Sequence, residues 1–389
     1  MSTARAVDLL ADEVTFGPGT VARLPELVRE LGAERVLLVC GRRSFEASGA
    51  ATVLPELEQV AAVHRWSDFS PNTDAADLGR GLGELATFRP DLVLGVGGGS
   101  AMDMAKLLAG YGGRVPGDEI VATIQAGGRI DARDPGLILV PTTSGSGAET
   151  THFAVVYTGH DKHSIAGPAL RPDRIVLDPS LTLSGSPYQR ATSGIDAVCQ
   201  AIESLWAVGG TDASRTFARE ALAVLLDHIE AFVTAPDDTA AAGMSLGSHL
   251  AGRAIDVSKT TAAHALSYGL TKRHGVSHGH AVATSLGPFL EAHAAASPDQ
   301  LQAGVDPATH DAAVAHAVAA LGADDGPSAR RAFVGLMERI GLEPRLSELG
   351  VTDEDERAAL VSTVNLERLG NDPVRFDADD LTAILRSTG

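Results

Sequence analysis

The chain has 389 residues, 44% of them hydrophobic and 21% charged, with a formal net charge of −19. That length favours two compact domains over one. The charge argues against nucleic-acid binding, which relies on Lys and Arg at phosphates. No run of about 18 apolar residues is present to span a membrane, and the first residues lack the apolar stretch of a signal peptide. Cys40 and Cys199 fall in apolar elements and read as core residues, so a reducing cytoplasm is the expected location.

In chain order, residues 7–16 read as a short strand and loop, and residues 21–31 as an amphipathic helix. Residues 35–40 (R-V-L-L-V-C) lack alternation and read as a strand buried on both faces. A loop at Gly41-Arg42-Arg43-Ser44 follows, then a helix over 46–60, a strand over 63–69 and a helix over 75–86. A second buried strand, 91–96, runs into Gly97-Gly98-Gly99-Ser100 and a helix over 101–110. A strand over 137–140 ends at Pro141-Thr142-Thr143-Ser144-Gly145-Ser146-Gly147. This alternation predicts an α/β, Rossmann-like domain with a parallel sheet.

Past residues 181–187 the strand pattern stops. Helices are expected over 194–207, 213–234, 240–271, 281–293, 310–321, 328–340, 353–369 and 378–385. The reading is therefore an α/β dinucleotide-binding domain over residues 1–183 and an all-α, metal-binding domain over 184–389.

Three of the 13 histidines fall between His274 and His280. His264 lies upstream on the helix expected over 258–271, with Tyr268 one turn along the same face. A turn around Gly275 then delivers His278 and His280. On the helix S-G-I-D-A-V-C-Q-A-I-E-S-L-W (193–206), Asp196 and Gln200 share one face among apolar residues. Unpaired burial of such groups costs several kcal/mol. A metal ion held by Asp196, Gln200, His264 and His278 would match them; an ordinary buried hydrogen-bond pair and ordinary core histidines are the alternative.

Gly97, Gly98 and Gly99 allow close backbone approach of a pyrophosphate to a helix N-terminus, although such a run also serves as a plain turn. In the loop after residues 35–40, an acidic group would take the ribose 2′-OH of NAD. Gly41, Arg42 and Arg43 stand there instead. Two guanidiniums suit a 2′-phosphate, which favours NADPH; the alternative is a solvated basic loop.

These strings resemble the iron-containing, group III alcohol dehydrogenases, which share their two-domain fold with dehydroquinate synthase. The family pattern G-x-D-A-x-x-H-A-x-E matches at Asp196, H-A-x-x-H at His264, and the later turn at His278. Gln200 stands where the family usually has a His, and Tyr268 where many members have another. G-G-G-S-x-x-D-x-x-K matches through Ser100, Asp103 and Lys106, and P-T-T-x-G-T-G-x-E through Thr142, Thr143 and Ser146 to Glu149. The resemblance implies that Asp103 faces the nicotinamide or substrate, with helix capping as the alternative. It also implies that Thr142, Thr143 and Ser146 touch the cofactor, and that the metal is Fe(II), with Zn or another divalent ion as alternatives.

S-G-x-D-A-x-x-Q-A-I-E-S, S-K-T-T-A-A-H-A-L-S-Y and H-G-H-A-V-A further resemble the phosphonoacetaldehyde-reducing subgroup, which acts in phosphonate natural-product pathways. That resemblance implies NADPH-dependent reduction of phosphonoacetaldehyde to 2-hydroxyethylphosphonate. Lys259, Thr260 and Arg273 would hold the phosphonate, although Arg273 also suits a helix C-terminus. Tyr268, His274 or the ribose hydroxyls would pass the proton. The expected partner is a small anionic aldehyde, and a homodimer is the expected assembly. Reduction of another small aldehyde, a dehydroquinate-synthase-like cyclising lyase, and a metal-poor binding protein are the rivals.

Overall fold

The structure, a computed structural model, describes residues 2–159 and 161–388. Two compact units divide the chain, Leu10–Gly185 and a second made of Met1–Leu9 with Ser186–Gly389. The division falls in the stretch where the strand pattern stops. Residues 2–9, expected in the α/β domain, instead join the helical unit, because α1 (Ser2–Val7) packs on two of its long helices.

The α/β unit runs β1 (Val14–Phe16), α2 (Leu24–Glu30), β2 (Arg35–Cys40), α3 (Ser44–Ala47), α4 (Leu54–Glu58), β3 (Ala62–Trp66), α5 (Ala75–Phe88), β4 (Leu92–Gly97), α6 (Gly99–Tyr111), α7 (Ile120–Ala126), β5 (Gly136–Pro141), β6 (Phe153–Thr158), β7 (Asp161–Ala166) and β8 (Arg174–Leu177). Six strands form a parallel sheet in the order β1-β8-β5-β4-β2-β3. Leu37, Val39, Val93 and Leu137 pack into one core, and Val36, Leu38, Leu94 and Ile138 into the other. Successive residues thus feed opposite faces, which is why these strands read as continuous apolar runs. From β2 the chain proceeds to β3 at one edge, whereas from β4 it proceeds to β5 on the other side. The switch point lies between the carboxyl ends of β2 and β4, where α/β sheets bind their ligands.

The sequence reading did not include α1, α7, β8 or the antiparallel pair β6–β7. β8 has four residues and β7 is D-K-H-S-I-A, so neither presents a long apolar pattern. The helix expected over 46–60 is broken at Gly49, whose φ of 86° suits glycine.

The helical unit continues with α8 (Pro187–Trp206), α9 (Asp212–Thr234), α10 (Asp238–Ser258), α11 (Ala262–His274), α12 (His278–Ala295), α13 (Pro307–Ala320), α14 (Gly326–Arg339), α15 (Glu354–Ser362), α16 (Leu366–Leu369) and α17 (Ala378–Arg386). α8 starts at a capping box, Ser186 with Gln189, and has Pro187 in its first turn. The single helix expected over 240–271 is two, α10 and α11, broken at Lys259, which takes φ 59° and ψ −178°. Side chains claim the backbone groups at the break. Asn371 Nδ2 donates to the carbonyls of Ser258 and Thr260, at 2.8 and 3.0 Å, and Glu203 accepts from Thr261 N at 3.1 Å. Likewise, the helix expected over 353–369 ends at Ser362 and restarts as α16. Among the described residues, no helix is long and apolar enough to cross a membrane. Cys40 and Cys199 are buried and free.

Candidate metal centre and cofactor loops

Asp196 and Gln200 lie one turn apart on α8, and Gln200 Nε2 donates to Asp196 Oδ2 at 3.1 Å. His264 stands in the first turn of α11, and His278 is the first residue of α12. Three segments therefore converge, and Gly279 permits it. A Cβ there would overlap the carbonyl oxygen of Thr192 and press on Asp196 Cβ, so only glycine lets α12 start this close to α8. Ligand atoms of Asp196, His264 and His278 lie within 4.8 Å of one another. His264 Nε2 is 3.4 Å from Asp196 Oδ1, and the rings of His264 and His278 meet edge to face at 5.4 Å.

Buried Gln200 Oε1 has no hydrogen-bond partner among the described residues. An orphaned amide oxygen beside a carboxylate and two imidazoles is an acceptor set that fits a divalent cation. Burial lowers the His264 pKa, but the Glu203 and Asp196 carboxylates outweigh it and carry the imidazole up to about 10. The two carboxylates thus favour a positive charge on the imidazole ring. Neighbouring His280 is engaged elsewhere, with Nδ1 3.2 Å from Tyr188 Oη and Nε2 2.8 Å from the Glu343 carbonyl.

Tyr268 joins this group, its ring stacked on His278 at 5.9 Å and 13°. His274 ends α11, ten residues and about 15 Å of helical rise from His264 but only four residues before His278; its Nε2 is buried without a hydrogen-bond partner among the described residues, and an added Cβ at Gly350 would lie 3.0 Å from its Nδ1. Arg273, expected at the phosphonate, is exposed on that same last turn, where its charge suits the carbonyl end of the helix dipole. Because of the break, Lys259 and Thr260 belong to the linker before α11, not to the helix of His264. Lys259 Nζ pairs with Glu367 Oε1 at 2.5 Å; Thr260 is buried.

Sequence reasoning gave no role to Glu203, the last position of the family pattern that begins at Gly194. It follows Asp196 by seven residues, so Asp196, Gln200 and Glu203 share one face of α8. A glutamate at that spacing in an apolar helix was the available signal.

In the α/β unit, Gly97 takes φ 156°, and Gly98 precedes the first turn of α6. Thr142 N donates to the Gly97 carbonyl at 2.9 Å. Added Cβ atoms would meet Thr143 from Gly98 at 3.4 Å and Ser146 Oγ from Gly99 at 3.0 Å. The two glycine-bearing loops, from β4 and β5, therefore sit side by side next to the switch point, and the N-terminus of α6 opens there. Ser100 Oγ accepts from Asn72 N at 3.1 Å. Asp103 does not cap α6. Its Oδ2 accepts from Val155 N at 3.1 Å, tying α6 to β6, and burial raises its pKa to about 6 against the opposing pull of Lys106. Lys106 is fully buried and donates to Thr151 Oγ1 and the Phe153 carbonyl, both at 2.8 Å. Gly41 follows β2 at the switch point. Arg42 is paired with Asp68, which also takes Arg80, and Arg43 is exposed.

A parallel sheet with glycine loops at its switch point, and a helical unit that gathers a carboxylate, an amide oxygen and two imidazoles, fit a nucleotide-dependent metalloenzyme. The model of the iron-containing alcohol dehydrogenases matches residues 11–179, and that of the family's C-terminal domain matches residues 190–389. The chain belongs to the iron-containing alcohol dehydrogenases and is an NAD(P)-dependent alcohol dehydrogenase. Phosphonoacetaldehyde reductase of Streptomyces viridochromogenes is 32% identical over 310 residues, 78% of this chain and 77% of the relative. Long-chain-alcohol dehydrogenase 1 of Geobacillus thermodenitrificans is 31% identical, over 75% and 73%. Sulfoacetaldehyde reductase from Bifidobacterium kashiwanohense, solved with NAD+, has a TM-score of 0.86 and 27% identity, covering 96% of each chain.

Proposed function

We propose that the protein reduces phosphonoacetaldehyde to 2-hydroxyethylphosphonate, using NADPH and a divalent metal ion, Fe(II) by family likeness. The observation that carries the substrate class is the pair of relatives named for reducing an acetaldehyde with an acidic phosphorus or sulfur group.

In this reading Asp196 Oδ1, Gln200 Oε1, His264 Nε2 and an imidazole nitrogen of His278 hold the metal. When bound, the ion supplies Lewis-acid polarisation of the carbonyl oxygen. Gly97, Gly98, Gly99 and the hydroxyls of Thr142, Thr143 and Ser146 orient the cofactor. Tyr268, stacked on His278, is the better candidate than His274 to pass a proton from its Oη. Thr260 and Lys259 adjoin the start of α11 and are proposed for the phosphonate. Glu367 already holds the Lys259 ammonium, so the substrate competes with that carboxylate.

Arg42 and Arg43 are proposed to read the 2′-phosphate, with Asp68 orienting Arg42. Replacing both by Ala should raise the Michaelis constant for NADPH about tenfold or more, since charge-assisted hydrogen bonds contribute about 1.5–3 kcal/mol. The constant for NADH should stay nearly unchanged; equal effects would remove the case for NADPH. The substrate is tested by NADPH oxidation against phosphonoacetaldehyde, sulfoacetaldehyde and propanal. A clear preference for sulfoacetaldehyde would replace the phosphonate with the sulfonate in the same chemistry.

A further inference from the structure

Glu203 has no exposed surface. A buried carboxylate is costly unless its oxygens are matched, and both are. Oε1 accepts from Thr261 N at 3.1 Å, Thr261 Oγ1 at 3.0 Å and His264 N at 3.2 Å. Thr261 Oγ1 in turn accepts from Trp206 Nε1 at 3.1 Å, which leaves its proton for Glu203. Oε2 faces His264 Nδ1.

The two oxygens do different work. Oε1 caps α11 from a neighbouring helix, because Thr261 at the N-cap makes no side-chain cap of its own. Oε2 acts on the imidazole. A carboxylate only accepts, so Nδ1 carries a proton, and Nε2 on the Asp196 side is the nitrogen left to exchange its proton for a metal ion. Carboxylates behind ligating histidines fix the tautomer in this way.

We infer that Glu203 is a positioning residue of the metal centre: through Oε2 it holds His264 in the Nδ1–H tautomer that frees Nε2 for the metal, separately from its capping of α11 through Oε1. This rests on the metal-centre reading proposed above.

Glu203→Gln separates the two tasks. With its amide oxygen at Oε1, Gln keeps the three cap hydrogen bonds and turns an NH2 group toward Nδ1. A donor there draws the imidazole lone pair to Nδ1 and moves the proton to Nε2. The reversed amide would set NH2 against three donors and is disfavoured. Wild type, Glu203→Gln, Glu203→Asp and His264→Ala are titrated with Co(II) alone against a competing chelator, with thermal unfolding recorded for each. Glu203→Gln should unfold near the wild-type temperature yet bind Co(II) about 10- to 100-fold more weakly. Glu203→Asp, which keeps an acceptor, should bind more tightly than Glu203→Gln. Equal affinity of wild type and Glu203→Gln, or the reverse order of the two variants, overturns the inference. Unchanged Co(II) affinity in His264→Ala would instead remove the metal-centre reading itself. Should Glu203→Gln fail to fold, nitrogen NMR of Zn(II)-loaded wild type decides. Metal on Nε2 with a proton on Nδ1 is expected; metal on Nδ1 overturns the inference.

Discussion

His264 is enclosed by two carboxylates, Glu203 behind Nδ1 and Asp196 beyond Nε2. Replacing His264 or His278 by Ala removes an imidazole that Asp196 and Gln200 cannot replace. Each variant should lose bound metal and activity, as read by metal analysis of the purified protein. Normal metal content in both would remove the ligand assignment. Gln200→His should keep or raise metal affinity, because imidazole is the better ligand; loss of metal would mean that Gln200 Oε1 is not one. Asp103 gives a residue-scale prediction for the other unit. Its folded pKa of about 6 lies above the ordinary 3.8. A raised carboxyl pKa contributes stability at low pH that is lost as pH rises through the folded value. Ionised Asp103 therefore lowers stability near neutrality, by at most about 3 kcal/mol. Asp103→Asn should stabilise the protein against urea more at about pH 8 than at about pH 4. An equal gain at both would show that Asp103 carries no such cost.

At the scale of elements, the centre depends on where α11 and α12 begin. Gly279 decides the second. An added methyl meets backbone on α8, which cannot swing aside, so Gly279→Ala should cost about 1–3 kcal/mol and weaken metal binding with it. A variant with wild-type unfolding temperature and metal content would contradict the close approach of α12 to α8. The start of α11 explains what the sequence hid. The strands β2 and β4, the glycine turn after β4 and the Asp196–Gln200 pair on α8 were readable, because apolar runs, glycines and i, i+4 pairs are local signals. The break at Lys259 was not, because its causes are Asn371 and Glu203, 112 and 56 residues away in sequence. A stretch with no Pro, and no Gly between Arg253 and Tyr268, reads as unbroken helix unless distant side chains are known to take its backbone groups. The same error placed Lys259 on the helix of His264, whereas it lies in the linker before α11.

For the whole molecule, a net charge of −19 repels the anionic aldehyde proposed as substrate. Local contacts must overcome that field, so a phosphonate group should help only if the site is built to receive it. Steady-state NADPH oxidation by Fe(II)-loaded and chelator-treated enzyme, with phosphonoacetaldehyde and propanal compared at equal ionic strength, tests this most directly. A phosphonate held by a charged or hydroxyl partner should raise kcat/KM over propanal on the order of tenfold or more, and turnover of both aldehydes should vanish with the metal and return on adding Fe(II). Equal kcat/KM for the two aldehydes, or turnover that persists without metal, would contradict the account.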